Sequence, residues 1–201
     1  MRILLVILFL FLFPIGSIAN NEITHRNFMY KQSQVHIVES PAQRISVGFT
    51  LKGHNSGVNC SYFNMNTRKT IAPGSFNRPF IIIKDKKVIL SDNKNDLIDN
   101  KAVSGGSWLI RDGKLYSTSD HFTKGFKGML VRRTFVGIDK NNNVYLVVMT
   151  KANFYKMQKL AQKLELKDAI NLDGGTSSTL KHNGRIYVSG KRRVVNYLVA
   201  D

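Results

Sequence analysis

Residues 153–178, NFYKMQKLAQKLELKDAINLDGGTSS, decide the fold class. Phe154, Met157, Leu160, Ala161 and Leu164 recur at helical spacing, with Lys156, Gln158, Lys159, Gln162 and Lys163 at the other positions, so the segment reads as an amphipathic helix. Asn153 stands where an N-cap is needed, and the helix is expected to end near Leu166-Lys167. The period then changes. Ala169-Ile170-Asn171-Leu172 reads as a buried strand running straight into the turn Asp173-Gly174-Gly175.

Working outward, residues 34–39 (QVHIVE) and 44–52 (RISVGFTLK) read as strands split by Pro41, and 58–63 as a short strand before a polar stretch. Residues 79–83 and 88–90 form a predicted hairpin about Asp85-Lys86-Lys87. A second hairpin pairs 107–110 with 114–117 about Asp112-Gly113, and a third pairs 133–138 with 144–149. The Asp-, Asn- and Lys-rich residues 91–101 read as an exposed loop, and 185–188 and 194–199 as closing strands. Several hairpins with one clear helix before the Asp-Gly-Gly turn predict an α+β domain on a mixed or antiparallel sheet. A chain of 201 residues suits one domain with a real core, and 43% hydrophobic residues argue against disorder.

The N-terminus reads as a targeting segment. Arg2 precedes an apolar run at 3–13, Pro14 and Gly16 break it, and Ser17-Ile18-Ala19 supplies the small residues of a signal peptidase site. Residues 1–19 are therefore expected to be a leader cut after Ala19, leaving residues 20–201 as a secreted or periplasmic domain without a stable membrane anchor. The run is too short for a hydrocarbon core of about 30 Å. Cys60 is the single cysteine, so no intramolecular disulfide forms. The formal charge of +17 is carried by dispersed lysines and arginines. In an exported protein it points to anionic glycans or sugar phosphates rather than nucleic acid.

The densest chemical signal is Ile170-Asn171-Leu172-Asp173-Gly174-Gly175-Thr176-Ser177-Ser178-Thr179-Leu180. A strand delivers a carboxylate to its end, two glycines free the backbone, and hydroxyls follow. Backbone N–H groups of such a turn suit an anion, and a helix starting near Ser177 would add its N-terminus. A tight turn capped by Asp173 explains the same residues without any ligand.

With its neighbours, the segment resembles the phosphodiester glycosidase family, whose hallmark is an Asn-Leu-Asp-Gly-Gly-Gly-Ser-Ser-like turn; Thr176 replaces the third glycine. Residues 133–138 (RTFVGI) and 143–148 (NVYLVV) are similar to the family's Arg-Thr strand and hairpin. Asn59-Cys60-Ser61-Tyr62-Phe63 matches its Asn-Gly-Gly motif in part, lacking both glycines, and 193–199 (RVVNYLV) its closing strand. The resemblance covers residues 35–201. It implies hydrolysis of a sugar-1-phosphodiester, with Asp173 and Arg133 as catalytic residues. It implies Asn59, Asn171, Gly174, Gly175, Thr176, Ser177, Ser178 and Asn196 as substrate-binding residues.

These residue types suit that chemistry. Arg133 is shaped for a bidentate phosphate clamp, though Arg132 beside it leaves the register open. Asp173 suits a nucleophile, general base or metal ligand. Glycosidases usually use two carboxylates; Asp139, Glu165 and Asp168 are candidates for the second by sequence proximity alone. Phosphate leaves readily, so one carboxylate is a workable alternative. His36, His54, His121 and His182 read as ordinary histidines, His54 being the one nearest the Asn59 segment. No P-loop and no GxGxxG follows a strand, so no cofactor is expected and no metal site is assigned. A non-catalytic binder of anionic polysaccharide is the competing reading, and a hydrolase with a divalent ion on Asp173 a third.

Overall fold

The computed structural model describes residues 22–64, 66–67, 69–98, 100, 102–117 and 124–201. The expected leader, its cleavage point and His121 lie outside these residues. The spine of the molecule is the hairpin of β10 (Val131–Ile138) and β11 (Asn143–Ala152), with strands numbered along the chain. On one side it continues into β2 (Ser33–Pro41) and the edge strand β1 (Thr24–Tyr30). On the other it continues into β12 (Asp168–Asn171), β8 (Trp108–Arg111) and β9 (Lys114–Leu115), giving seven strands in the order β1-β2-β11-β10-β12-β8-β9. A five-stranded sheet runs β14 (Arg185–Val188), β13 (Leu180–His182), β4 (Ser56–Asn59), β15 (Tyr197–Ala200) and β3 (Ile45–Gly48). A third runs β6 (Lys87–Ser91), β5 (Phe80–Lys84) and β7 (Ala102–Ser104). Every ladder among the described residues is antiparallel.

The large sheet is covered on both faces, which is why residues 144–149 are apolar without alternation. On one face Val35, Ile37, Phe135, Val147 and Met149 pack against Phe154, Met157, Leu160 and Ala161 of α2 (Phe154–Lys163). On the other, Val38, Val136, Leu146, Val148, Ile170 and Leu172 meet Val58, Leu180 and Leu198 of the five-stranded sheet and Ile81 and Val88 of the third. Asn153 caps α2 by accepting from Lys156 N at 2.9 Å. Glu165 ends it at φ 54°, with Leu166 N on Ala161 O and Glu165 N on Gln162 O, the Schellman arrangement. A second helix, α1 (Lys124–Gly128), contributes Phe126 beside Phe154.

Several sequence expectations change. The strand expected over 44–52 keeps only Ile45–Gly48, because 42–44 form a 3-10 turn after Pro41, itself the last residue of β2. The strand over 58–63 shifts to Ser56–Asn59, since the chain after Asn59 turns away to meet Asn196. Residues 94–97 of the expected loop are a 3-10 turn capped by Asn93. No helix begins near Ser177: residues 175–177 make one 3-10 turn and β13 starts at Leu180.

Candidate active site

Asp173 lies at the seam between the two larger sheets, on the loop that leaves β12 of one and enters β13 of the other. Its backbone is held from the five-stranded side. Asp173 N donates to Cys60 O at 3.1 Å, and Asn59 Nδ2 donates to Asp173 O at 2.5 Å. The carboxylate accepts from Gly174 N at 2.9 Å. Gly175, at φ 64°, turns the chain beyond it, in a region other residues reach only with strain.

A buried network fixes this loop. The Thr134 hydroxyl on β10 lies 3.0 Å from Asn59 Oδ1 and 3.1 Å from Ser178 Oγ, and Asn59 Oδ1 also accepts from Thr179 N at 3.0 Å. Thr179 Oγ1 bonds Ser177 O and receives Gly190 N. Asn59, Thr134 and Ser178 are each 0% exposed. Asn59 and Ser178 therefore brace the loop rather than face a ligand. Of the hydroxyl cluster, Thr176 is exposed at the mouth, while buried Ser177 faces the Asp173 carboxylate with its oxygen outside full hydrogen-bond geometry.

Asn171 is likewise a strut. Its Oδ1 accepts from Ser107 N at 2.6 Å and its Nδ2 donates to Tyr62 Oη at 2.6 Å. A Cβ on Gly106 would stand 2.5 Å from Asn171 Oδ1, so the Gly105-Gly106-Ser107 turn owes its glycine to this amide. Asn196, buried ahead of β15, accepts from Ser61 N at 2.9 Å and positions the segment that carries Tyr62.

The β10 bulge between Val131 and Arg133 settles which arginine turns inward. Arg132 reaches Ser189 O at 2.9 Å, whereas Arg133 is 2% exposed. Arg133 Nη2 donates to Phe126 O at 2.6 Å and Met129 O at 3.2 Å, Nε to Ala152 O at 3.4 Å, and the guanidinium lies 4.4 Å from the Phe126 ring centroid. These carbonyls occupy the Nε–Nη2 edge, the fork expected to clamp phosphate, so Arg133 supplies fixed positive charge beside the turn.

Burial raises the Asp173 pKa above the ordinary carboxylate range, opposed by Ser177, by the Gly174 N–H and by Arg192. Burial also raises the Tyr62 phenol, with the Asp173 charge adding to it and Arg133 and Arg78 opposing. Arg78 lies 5.5 Å from the Tyr62 ring centroid, and Arg192 is tied in through its N–H to Thr176 O at 3.1 Å. Asp173, Tyr62, Arg78, Arg133 and Arg192 thus share one electrostatic neighbourhood. Sequence reading placed Tyr62 and Thr134 inside motifs without a role and missed Arg78 and Arg192; only the run Lys191-Arg192-Arg193 hinted at the last.

The carboxylates weighed as a second catalytic group sit elsewhere. Asp168, at the far end of β12, accepts from Asp112 N at 3.0 Å, Asp139 caps its own hairpin turn, and Glu165 is exposed at the end of α2. His54 Nδ1 pairs with Asp201 at 2.7 Å. Among the described residues no cluster of His, Cys, Asp and Glu is arranged to hold a metal ion. Burial pushes the Cys60 thiol up to about 12, so it is inert as a nucleophile.

Fold and site together define an α+β domain of antiparallel sheets whose largest sheet delivers a half-buried carboxylate to the seam near Arg192 and Arg133. Residues 31–200 match the family model described as phosphodiester glycosidase, and the chain belongs to that family. The N-acetylglucosamine-1-phosphodiester alpha-N-acetylglucosaminidases of Homo sapiens and Bos taurus are each 28% identical to it. Those matches cover 47% of this chain and only 21% of either relative's length. The zebrafish N-acetylglucosamine-1-phosphodiester alpha-N-acetylglucosaminidase catalytic domain, auto-inhibited by its pro-peptide, superposes with a TM-score of 0.69 at 20% identity, covering 89% of this chain and 82% of that one. A hypothetical protein from Synechocystis gives 0.72 at 13% identity, over 88% and 61%. These two establish a shared fold.

Proposed function

We propose that this protein is an exported hydrolase that cleaves the bond between a sugar's anomeric carbon and a phosphodiester, in envelope or exogenous glycan. The observation that carries the reading is the half-buried Asp173 carboxylate, on a loop braced by Asn59, Thr134 and Ser178, with Arg192 acting on it and Arg133 and Arg78 acting on the neighbouring Tyr62. Asp173 acts as general base: it takes a proton from water as the oxygen attacks the anomeric carbon. The bond to phosphate breaks with its electron pair, leaving a phosphate monoester. The positive field of the arginines favours that developing charge, and so good a leaving group works without a dedicated acid. A carboxylate with a raised pKa is a stronger base towards water than an ordinary one. The chain's charge of +17 draws anionic substrate to the surface.

The test is release of N-acetylglucosamine from an N-acetylglucosamine-1-phosphodiester, the bond named in the relatives. Asp173→Asn is expected to lower kcat by ~100–10,000-fold, the usual contribution of a general base, with the circular dichroism spectrum unchanged. Turnover that survives this substitution sinks the assignment. Salt-sensitive glycan binding by the wild type without product favours the binder instead.

A further inference from the structure

Beside the Asp173 seam the surface opens into a cavity of about 540 Å³ lined by Phe49, Arg193, Val194 and Val195. Phe49 also lines a second cavity, of about 410 Å³, with Ser46, Val47, Ile81, Ile83, Ala102 and Val103. Each is within the size of small-molecule sites, ~300–1,000 Å³. The segment forming the first cavity is anchored to the site at both ends. Arg192 N donates to Thr176 O on the Asp173 loop, and Asn196 holds Ser61 beside Tyr62. The wall of the first cavity is therefore tied to the Asp173 loop at one end and to the Tyr62 segment at the other.

The first cavity presents polar and apolar surface together, and the second is mainly apolar. Phe49 is 81% exposed and Val47 36%, and Ile83, Val103 and Val195 are half-buried along the same path. Single exposed apolar residues are ordinary, whereas a contiguous apolar path marks a contact surface. Among the described lining residues none is acidic, and Arg193 stands at the end nearest the Asp173 loop. A mixed cavity beside Arg193 that shares Phe49 with a mainly apolar one fits an amphiphile whose phosphate sits at the arginines and whose tail runs over Phe49.

We propose that this pair of cavities is the aglycone subsite, and that the substrate is a sugar phosphodiester carrying an alkyl or isoprenoid chain, a lipid-linked sugar phosphate. This rests on the glycosidase reading above, with the sugar at Asp173 and the chain leaving past Val195 and Phe49. Tail burial contributes binding that a short polar aglycone lacks.

The experiment compares octyl and methyl diesters of N-acetylglucosamine 1-phosphate on wild type and Phe49→Ser, a change at a position exposed enough to spare the fold. Wild type is expected to favour the octyl diester in kcat/KM by ~10-fold or more, and the preference to collapse in Phe49→Ser. Equal kcat/KM for the two diesters in the wild type, or a preference undiminished in the variant, overturns the proposal. If neither diester releases sugar, the glycosidase reading fails on its own. Titration calorimetry with the same compounds then decides the subsite: tighter octyl binding that Phe49→Ser removes supports it, and equal binding refutes it.

Discussion

Thr134→Val isolates the joint between the two larger sheets. The substitution keeps the branched shape and removes one hydroxyl from a position that is 0% exposed. That hydroxyl is the partner the structure gives Ser178 Oγ, itself 0% exposed, and one of two groups on Asn59 Oδ1; Thr179 N remains as the other. Leaving a buried polar group without its partner costs ~1–3 kcal/mol. For a domain of this size each kcal/mol moves Tm by about 2–4 °C, so the variant is expected to melt about 2–12 °C lower by differential scanning calorimetry. Thr134→Ser, which keeps the hydroxyl and loses a methyl, loses only ~0.8 kcal/mol of transfer energy. Adding Ser178→Ala to Thr134→Val removes the stranded hydroxyl as well, so the double variant is expected to be more stable than the sum of the singles by about 1 kcal/mol. A Tm for Thr134→Val equal to that of wild type, or strict additivity in the cycle, refutes the network as described.

Two further outcomes concern protons. Arg192 holds the Asp173 pKa down against burial, and on the proposed role a general base works only when ionised, so Arg192→Gln is expected to move the acid limb of kcat/KM to higher pH; an unmoved limb would falsify the coupling. On the far edge of the large sheet, His25 stacks on His36 and His182 with ring centroids 5.6 and 5.4 Å away, against Tyr187 and its neighbour Arg185. Burial first, then His182 and His36, lower the His25 pKa to about 4 from 6.5. The folded state therefore favours neutral imidazole. This contribution to stability is complete above 6.5 and is lost as pH falls from there through 4. Tm measured across that window is expected to fall, and to fall less in His25→Asn; identical slopes count against the cluster.

How much of this was legible in the sequence follows from range. The β10–β11 hairpin, α2 and β12 were readable because their signals lie within a few residues: an amphipathic period, Asn153 at the cap, a turn between two apolar runs. Strand β1 was missed because its residues alternate irregularly between exposed and half-buried, and β7 and β13 because three residues carry no period. Asp173 announced itself through the glycines that follow it. Its supports did not: Thr134 and Asn59 are 75 residues apart, Ser61 and Asn196 135. An Asn at a strand end serves a sugar or the backbone equally well, so the sequence leaves the amides at 59, 171 and 196 open, and only tertiary contacts show each of them bonded inward.

On the proposed chemistry, the seam placement of Asp173 ties turnover to the meeting of the two sheets. The β12–β13 loop is fixed from one sheet by Thr134 and from the other by Asn59, whose strand β4 also pairs with β15. A molecule whose two sheets have not met holds the Asp173 loop without its braces from the Asn59 segment, so on the proposed chemistry turnover reports that both sheets have come together.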